Sequence, residues 1–340
     1  MRKFINEGPG QLLAAEAGVK DVSRFLSGYR PGSIVLGGMG GSVLGGGIAK
    51  TLLGIQSRSP EGEFRINRDY SSSKSLDGSC LAILISYSGE TEETISLFHQ
   101  AVEQGARVLV LASGGTLWSL ASEMEVRGVL AVRIPKGGEG FQPRFSIYYT
   151  AGFLLGLLKK LEWLDAEVDL GGIAGKLGDE MDALENEGRA IAEELGGRIP
   201  IVYSSTHFES SIARIWKIKF NENCKIPSFF ASLPEVNHNE MIGWQPEFAD
   251  QFAFLLMEEE GIDERTRKRF DIFSNLMEQA GYRCIRPSPG SPANLFGIFR
   301  SLLLADWVTN HRASLFATDP VSIPMIQSFK KMLATSGDDD

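Results

Sequence analysis

The chain has 340 residues, 43% of them hydrophobic, and its 34 basic against 43 acidic side chains leave a net charge of −9. That length exceeds one ordinary core and predicts two domains of about 150 residues each, while the acidic balance argues against a nucleic-acid or anionic-membrane partner. Three scattered cysteines, Cys80, Cys224 and Cys284, make neither a disulfide framework nor a metal motif, which fits a reducing cytoplasm.

Arg2 and Lys3 open the chain with no apolar run behind them, so no signal peptide is expected. An amphipathic helix is expected over 11–26, then a strand over 31–36, a glycine-rich turn over 37–47 and a helix from Ile48. The turn fits neither common nucleotide motif. A dinucleotide fingerprint starting Gly38-x-Gly40 finds Val43 where a third Gly or Ala belongs, and Gly41-x-x-x-x-Gly46 is followed by Gly47 in place of the P-loop lysine. What remains is backbone that either approaches a ligand closely, with the Ser42 hydroxyl beside it, or lets a helix pack tightly on a strand.

The run Leu81-Ala-Ile-Leu-Ile has no polar interruption and reads as a strand buried on both faces, with helical spacing from Thr91 onward. Between them lie Ser86, Ser88 and Thr91, with Gly89 permitting a tight turn. These are either ordinary N-cap residues or a phosphate site, in which hydroxyls, free backbone N–H groups and the positive end of the helix dipole receive an anion. The density of hydroxyls exceeds what one cap uses. The run Ser-Tyr-Ser-Gly-Glu-Thr-Glu-Glu-Thr at 86–94 resembles the phosphosugar-binding signature of the sugar isomerase (SIS) domain family, whose matching serines and threonine hold a sugar phosphate.

Downstream, a strand over 107–112, a helix over 117–124 and a strand over 129–134 continue the alternation. Such alternation predicts a parallel sheet covered by helices on both faces, with ligands at the carboxyl ends of the strands, where both turns lie. The loop 135–145 ends Pro-Arg-Phe. A lone arginine is usually solvated, but the bifunctional phosphoglucose/phosphomannose isomerases, a branch of the SIS family, end the matching loop in the same way. The resemblance gives Arg144 that family's role of steadying the negative charge of the intermediate. The apolar stretch 145–158 that follows is too short to span about 30 Å of hydrocarbon, so no membrane partner is expected.

From 161 to 195 the chain is helical and charged, and 165–172 is the expected hand-over between domains 1–165 and 166–340. The pattern then repeats. A strand and small-residue turn over 199–206 mirror the first strand, and a strand over 252–256 with a helix over 264–279 mirrors the strand and helix around the hydroxyl turn. Val35 and Leu84 are 49 positions apart, Val202 and Leu255 are 53 apart, and the two copies therefore keep a similar spacing. The expected fold is α/β: two SIS-type, doubly wound parallel-sheet domains in tandem. In the second copy Met257-Glu-Glu-Glu-Gly stands where the hydroxyl turn would be; three carboxylates repel a phosphate, so only the first copy is expected to bind one.

The segment 229–244 reads as irregular and polar, and it carries His238. A loop histidine is more often structural than catalytic. Resemblance to the isomerase branch argues otherwise, because Glu222 in Phe-Asn-Glu-Asn and His238 in Pro-Glu-Val-Asn-His-Asn-Glu match its catalytic glutamate and histidine. Its closing segment, matched at 320–333, places a lysine near the sugar, which points to Lys330 with Lys331 as the rival. Thr309 or its neighbours are candidates for lining the space beside C2. Glu90 departs from the Asn that this branch often carries, and the tail 336–340 is expected to be disordered.

Interconverting an aldose and a ketose phosphate needs a phosphate anchor, a ring-opening group, a base that moves a proton between C1 and C2, and stabilisation of the enediolate. The resemblance fills each place: Ser42, Ser86, Ser88 and Thr91 on the phosphate, His238 at the ring oxygen, Glu222 as the base, and Arg144 with the Gly40 and Gly41 amides on the enediolate. It implies that glucose 6-phosphate and mannose 6-phosphate are interconverted with fructose 6-phosphate, with no metal or cofactor. It also implies a homodimer whose neighbouring subunit supplies the histidine. The competing readings are a sugar-phosphate-binding regulator, which has no use for a base, and an SIS isomerase acting on an amino sugar phosphate.

Overall fold

A computed structural model describes residues 1–55, 62–124, 128–165, 167–291 and 294–335, and in it the uninterrupted apolar runs form the inner strands of two parallel sheets. The first sheet holds β1 (Ser33–Gly37), β2 (Glu63–Asn67), β3 (Cys80–Ser86), β4 (Arg107–Ala112) and β5 (Val129–Arg133), in the order β2-β1-β3-β4-β5. Every residue of β3 is buried, which is why its sequence shows no alternation. Alternate residues serve opposite faces: Leu36, Ile83 and Leu109 pair side by side across the sheet toward one core, and Val35, Ala82 and Val108 toward another. Around this sheet lie α1 (Arg2–Asn6), α2 (Gly8–Asp21), α3 (Leu44–Ile55), α4 (Glu92–Glu103), α5 (Gly115–Glu123) and α6 (Ile147–Lys160). Helices α4 and α5 cover one face, and α2, α3 and α6 the other.

The second sheet holds β6 (Ile199–Ser205), β7 (Phe229–Leu233), β8 (Phe252–Met257) and β9 (Arg283–Ile285), in the order β7-β6-β8-β9, the first sheet's order without its fifth strand. The remaining helices are α7 (Leu170–Asp179), α8 (Met181–Leu195), the single turn α9 (Thr206–Phe208), α10 (Arg214–Cys224), α11 (Glu264–Gln279), α12 (Leu295–Leu315) and α13 (Pro324–Thr335). Val202 and Leu255 are register partners, whereas Val35 faces Ala82, two positions short of Leu84. Helix α11 closes one face of this sheet, while α8, α10 and α12 join a core that runs through to α3 and α6 of the first.

Several expectations change in detail. The opening helix is two helices meeting at Glu7, because Pro9 in the first turn of α2 supplies no N–H to a longer helix, and α2 ends at Asp21. Helix α3 begins at Leu44, so three glycines assigned to the turn are helical. Strands β2, β7 and β9 were not anticipated: β2 and β7 are outer strands with much of their length partly exposed, and β9 has three residues. The 336–340 tail lies outside the described residues. Among the described residues no helix is long and apolar enough to cross a membrane.

Candidate active site

Beyond the carboxyl ends of β1 and β3, where successive connections leave in opposite directions, lies a cleft of about 240 Å³. Gly40, Gly41, Ser42, Ser88, Thr91, Arg144, Glu222 and Lys330 all line it. Ser86 and His238 do not.

Gly40 takes φ +52, and a Cβ on Gly41 would stand 2.8 Å from the Arg144 backbone nitrogen. Glycine at these two positions is what lets the turn after β1 bend and then touch the Pro-Arg-Phe loop. In the hydroxyl turn, Thr91 occupies the N-cap of α4, yet its side chain makes no cap bond; it pairs with Ser86 Oγ at 2.9 Å. Ser86 Oγ also accepts the Gly89 N–H at 3.1 Å, and the residue is 1% exposed. Ser86 therefore shapes the turn from beneath and is not among the residues that line the cleft. Because the cap hydroxyl is engaged there, no side chain caps the first amides of α4. Ser42 Oγ accepts the Tyr87 N–H at 3.4 Å, and Ser88 Oγ accepts the Glu90 N–H at 3.2 Å. The Glu90 carboxylate turns away and accepts the Thr116 N–H (2.9 Å) and hydroxyl (2.8 Å) at the start of α5, which gives glutamate a local purpose at this position.

Arg144 is 1% exposed and fully tethered. Nε donates to Asn223 Oδ1 (2.6 Å), Nη1 to Glu222 Oε2 (3.1 Å), and Nη2 to the carbonyls of Pro320 (2.7 Å) and Val321 (3.0 Å). Burial lowers its pKa from the ordinary value, and Glu222 and Asp306 pull it back up. Behind it, Asn223 Nδ2 donates to Thr309 Oγ1 (2.9 Å), whose hydroxyl donates to the Ala305 carbonyl (2.8 Å). Thr309 is fully buried and so does not line the sugar space itself; it stands behind the arginine. Asp306, one turn back, takes Lys219 Nζ and the Tyr148 hydroxyl (2.8 Å), and burial with that carboxylate holds the Tyr148 pKa well above its usual value.

Glu222 keeps 21% of its side chain exposed, toward the cleft, while Arg144 holds one carboxylate oxygen. Lys330 reaches the cleft from α13, and its rival Lys331 is not among the lining residues. The strap before α13 is ordered by Asp319, whose carboxylate accepts the N–H groups of Val321 (2.8 Å) and Ser322 (3.2 Å). Hydrogen bonds from Ser322 and Val321 lower the Asp319 pKa.

His238 lies elsewhere. It ends a 3₁₀ turn (Glu235–His238) after β7, on the outer edge of the second sheet, and is exposed. It is not among the residues that line the cleft, although Glu222 and Lys330 reach the cleft from the same half of the chain. In the second copy, Glu259 is 5% exposed and receives the Ser205 hydroxyl and His207 Nδ1 (2.8 Å), so a carboxylate of the chain fills the place corresponding to the hydroxyl turn.

The sequence reading missed Met39, Tyr87, Glu93, Pro143, Ile323 and Ile326 in the lining. Ile323 and Ile326 stand seven and four positions before Lys330, a helical spacing that would have placed them on its face. The others flank motif residues and carry no signal of their own.

Comparison with known proteins bears on the fold and the family. The fold matches that of tagatose-6-phosphate ketose/aldose isomerase from Escherichia coli with a TM-score of 0.69 at 14% identity, over 94% of this chain and 93% of that one. Residues 184–333 match the bacterial phospho-glucose isomerase C-terminal SIS domain, and the molecule is thus of the SIS class. The chain is 35% identical over 315 residues to a bifunctional phosphoglucose/phosphomannose isomerase of Aquifex aeolicus, covering 92% of this chain and 93% of that protein. It belongs to the family of bifunctional phosphoglucose/phosphomannose isomerases. It is also 30% identical over 247 residues to a D-glucosamine-6-phosphate 4-epimerase of Sulfolobus acidocaldarius, covering 72% and 75% of the two chains.

Proposed function

We propose that the chain interconverts glucose 6-phosphate and mannose 6-phosphate with fructose 6-phosphate through ring opening and a cis-enediolate. The observation that carries this reading is the Arg144–Glu222 pair: a carboxylate held at one oxygen by a buried guanidinium, in the same cleft as the hydroxyl turn.

The phosphate is held by Ser42, Ser88, Thr91 and the uncapped amides of α4, and its binding energy places C1 and C2 against Glu222. Glu222 removes the proton from C2 of the open-chain aldose and returns it to C1. Negative charge collects on the oxygens of the enediolate, where Arg144 and the Gly40 and Gly41 amides lower its energy. Lys330 adds a cation above the bound sugar. Ser86 acts only by holding Thr91 and the Gly89 amide in place. His238, exposed and outside the cleft lining of its own chain, opens the ring from a second copy of the chain, so the working unit is a homodimer with a shared site.

The test is a coupled assay with glucose 6-phosphate, mannose 6-phosphate and glucosamine 6-phosphate, repeated with Glu222→Gln. Removing the base lowers kcat on both hexose phosphates by about 10² to 10⁴. Chemistry on glucosamine 6-phosphate alone would establish the amino-sugar reading, which the similarity to the epimerase favours. Binding without turnover of any of them would make the chain a regulator.

A further inference from the structure

Three cations outside the cleft lining have no role in that chemistry. Arg68 follows β2 directly, Arg214 opens α10, and Lys217 lies one turn further along, between Arg214 and Glu222. All three are half-buried. Helix α3 joins their two supports: a Cβ on Gly46 would meet Ile66 of β2 at 3.3 Å, and one on Gly47 would meet the Ser210 carbonyl, four residues before Arg214, at 2.4 Å. Among the described residues no carboxylate pairs with any of the three at ion-pair distance, and the buried Nε of Arg214 has no hydrogen-bond partner. Arg214 raises the electrostatic cost of both neighbours, and burial lowers the pKa of Arg68 and of Lys217. Glu222 partly offsets this at Lys217, and half-buried like charges that lack a full set of counter-ions are destabilising unless an anion arrives from outside.

Their position says which anion. The order β2-β1-β3 places the end of β2 two strand spacings, about 10 Å, from the hydroxyl turn at the end of β3, with the glycine turn between. A six-carbon sugar with a phosphate at each end spans that order of length. We propose that Arg68, Arg214 and Lys217 form a second phosphate subsite on the β2 side of the cleft, which takes a hexose phosphorylated at both ends. Such a ligand competes with the monophosphate and cannot react when its anomeric oxygen is esterified, since its ring cannot open. The inference rests on the isomerase reading of the cleft, with the first phosphate on the hydroxyl turn.

The probe is glucose 1,6-bisphosphate, titrated calorimetrically into the full-length chain beside the equilibrium mixture of hexose 6-phosphates. Arg68→Ala is expected to weaken bisphosphate binding about tenfold, the size of one lost charge-assisted contact, and to move monophosphate binding less than about twofold. Arg214→Ala repeats the measurement should the first variant fold poorly. Equal weakening of both ligands would mean a general field and overturn the subsite, as would a bisphosphate that fails to bind while the monophosphate turns over. A change of oligomeric state in Arg68→Ala, read by sedimentation, would assign the cations to carboxylates of a second copy and overturn it too. Monophosphate that neither binds nor turns over counts against the isomerase reading; the subsite then stands or falls by whether Arg68→Ala still weakens the bisphosphate.

Discussion

Arg144 has five N–H donors, and four hydrogen bonds within the chain leave little of the guanidinium for a ligand beyond the edge near Glu222. A lysine keeps the charge but cannot reproduce the fork, so it can serve the base or the strap carbonyls and not both. Arg144→Lys is therefore expected to lower kcat by about 10² to 10³ and to loosen the chain around Pro320 and Val321, read as faster proteolysis there. A variant that loses activity with an unchanged digest would separate the two duties. Ser86 and Ser88 give a second contrast. Ser88→Ala should raise KM for the sugar phosphate with little change in stability. Ser86→Ala leaves the Thr91 hydroxyl without its partner, while the Gly89 N–H keeps the Ser86 carbonyl at 3.1 Å, and should cost about 1 kcal/mol, seen as a lower denaturant midpoint. The density of hydroxyls at 86–91 was legible in the sequence. Which of them faces inward was not, because the turn conformation decides it and Ser86 is the last residue of a fully buried strand.

Helix α3 shows how an element can be misplaced for a physical reason. Gly45, Gly46 and Gly47 look like turn residues, yet they lie in the first turn of a helix pressed on three neighbours, with a Gly45 Cβ falling 2.8 Å from the Ala151 Cα. Gly45→Ala gains about 1 kcal/mol of helix propensity but drives a methyl group into backbone that cannot swing aside, costing about 1–3 kcal/mol. Net destabilisation is expected by chemical denaturation; a more stable variant would show that α6 can retreat. The strap and α13 pose the opposite problem, since the helical spacing of Ile323, Ile326 and Lys330 was readable and its partner was not. Asp319 gives the strap a pH dependence of definite sign. Its pKa is lowered in the folded chain, so its ordering of the strap is present above the usual carboxylate range of about 4. That ordering is lost as pH falls through the lowered value. KM should rise on acidification below about pH 4, and Asp319→Ala should show the raised KM already at neutral pH; a pH-independent KM would remove the strap from the binding step.

At the scale of the molecule, the repeat that divides the sequence is joined by the packing. The second sheet repeats the first sheet's order without its fifth strand, in line with the 49- and 53-residue spacings, and the boundary expected from the sequence is 165/166. The core does not respect that boundary: Leu36 and Ile83 belong to the same apolar cluster as Val202, Leu255 and Trp307. At its centre Tyr148 of the first half and Lys219 of the second meet on Asp306, all buried. We expect the halves to unfold together. Far-ultraviolet dichroism and the fluorescence of Trp163, Trp216 and Trp307 should then trace one coincident transition in guanidinium, because tryptophans lie buried on both sides of the boundary. Asp306→Asn leaves the Lys219 ammonium, 1% exposed, without its counter-charge and should cost about 3–5 kcal/mol. The double change Asp306→Leu with Lys219→Met removes both charges and should recover most of that loss. Two separate transitions in the unaltered chain would instead mean that each sheet unit is stable alone, with the shared ion pair fixing how they dock. Since Glu222 and Asn223 lie on α10 with Lys219 while Arg144 precedes α6 with Tyr148, the same variants should then lower kcat by letting the two parts of the cleft drift apart.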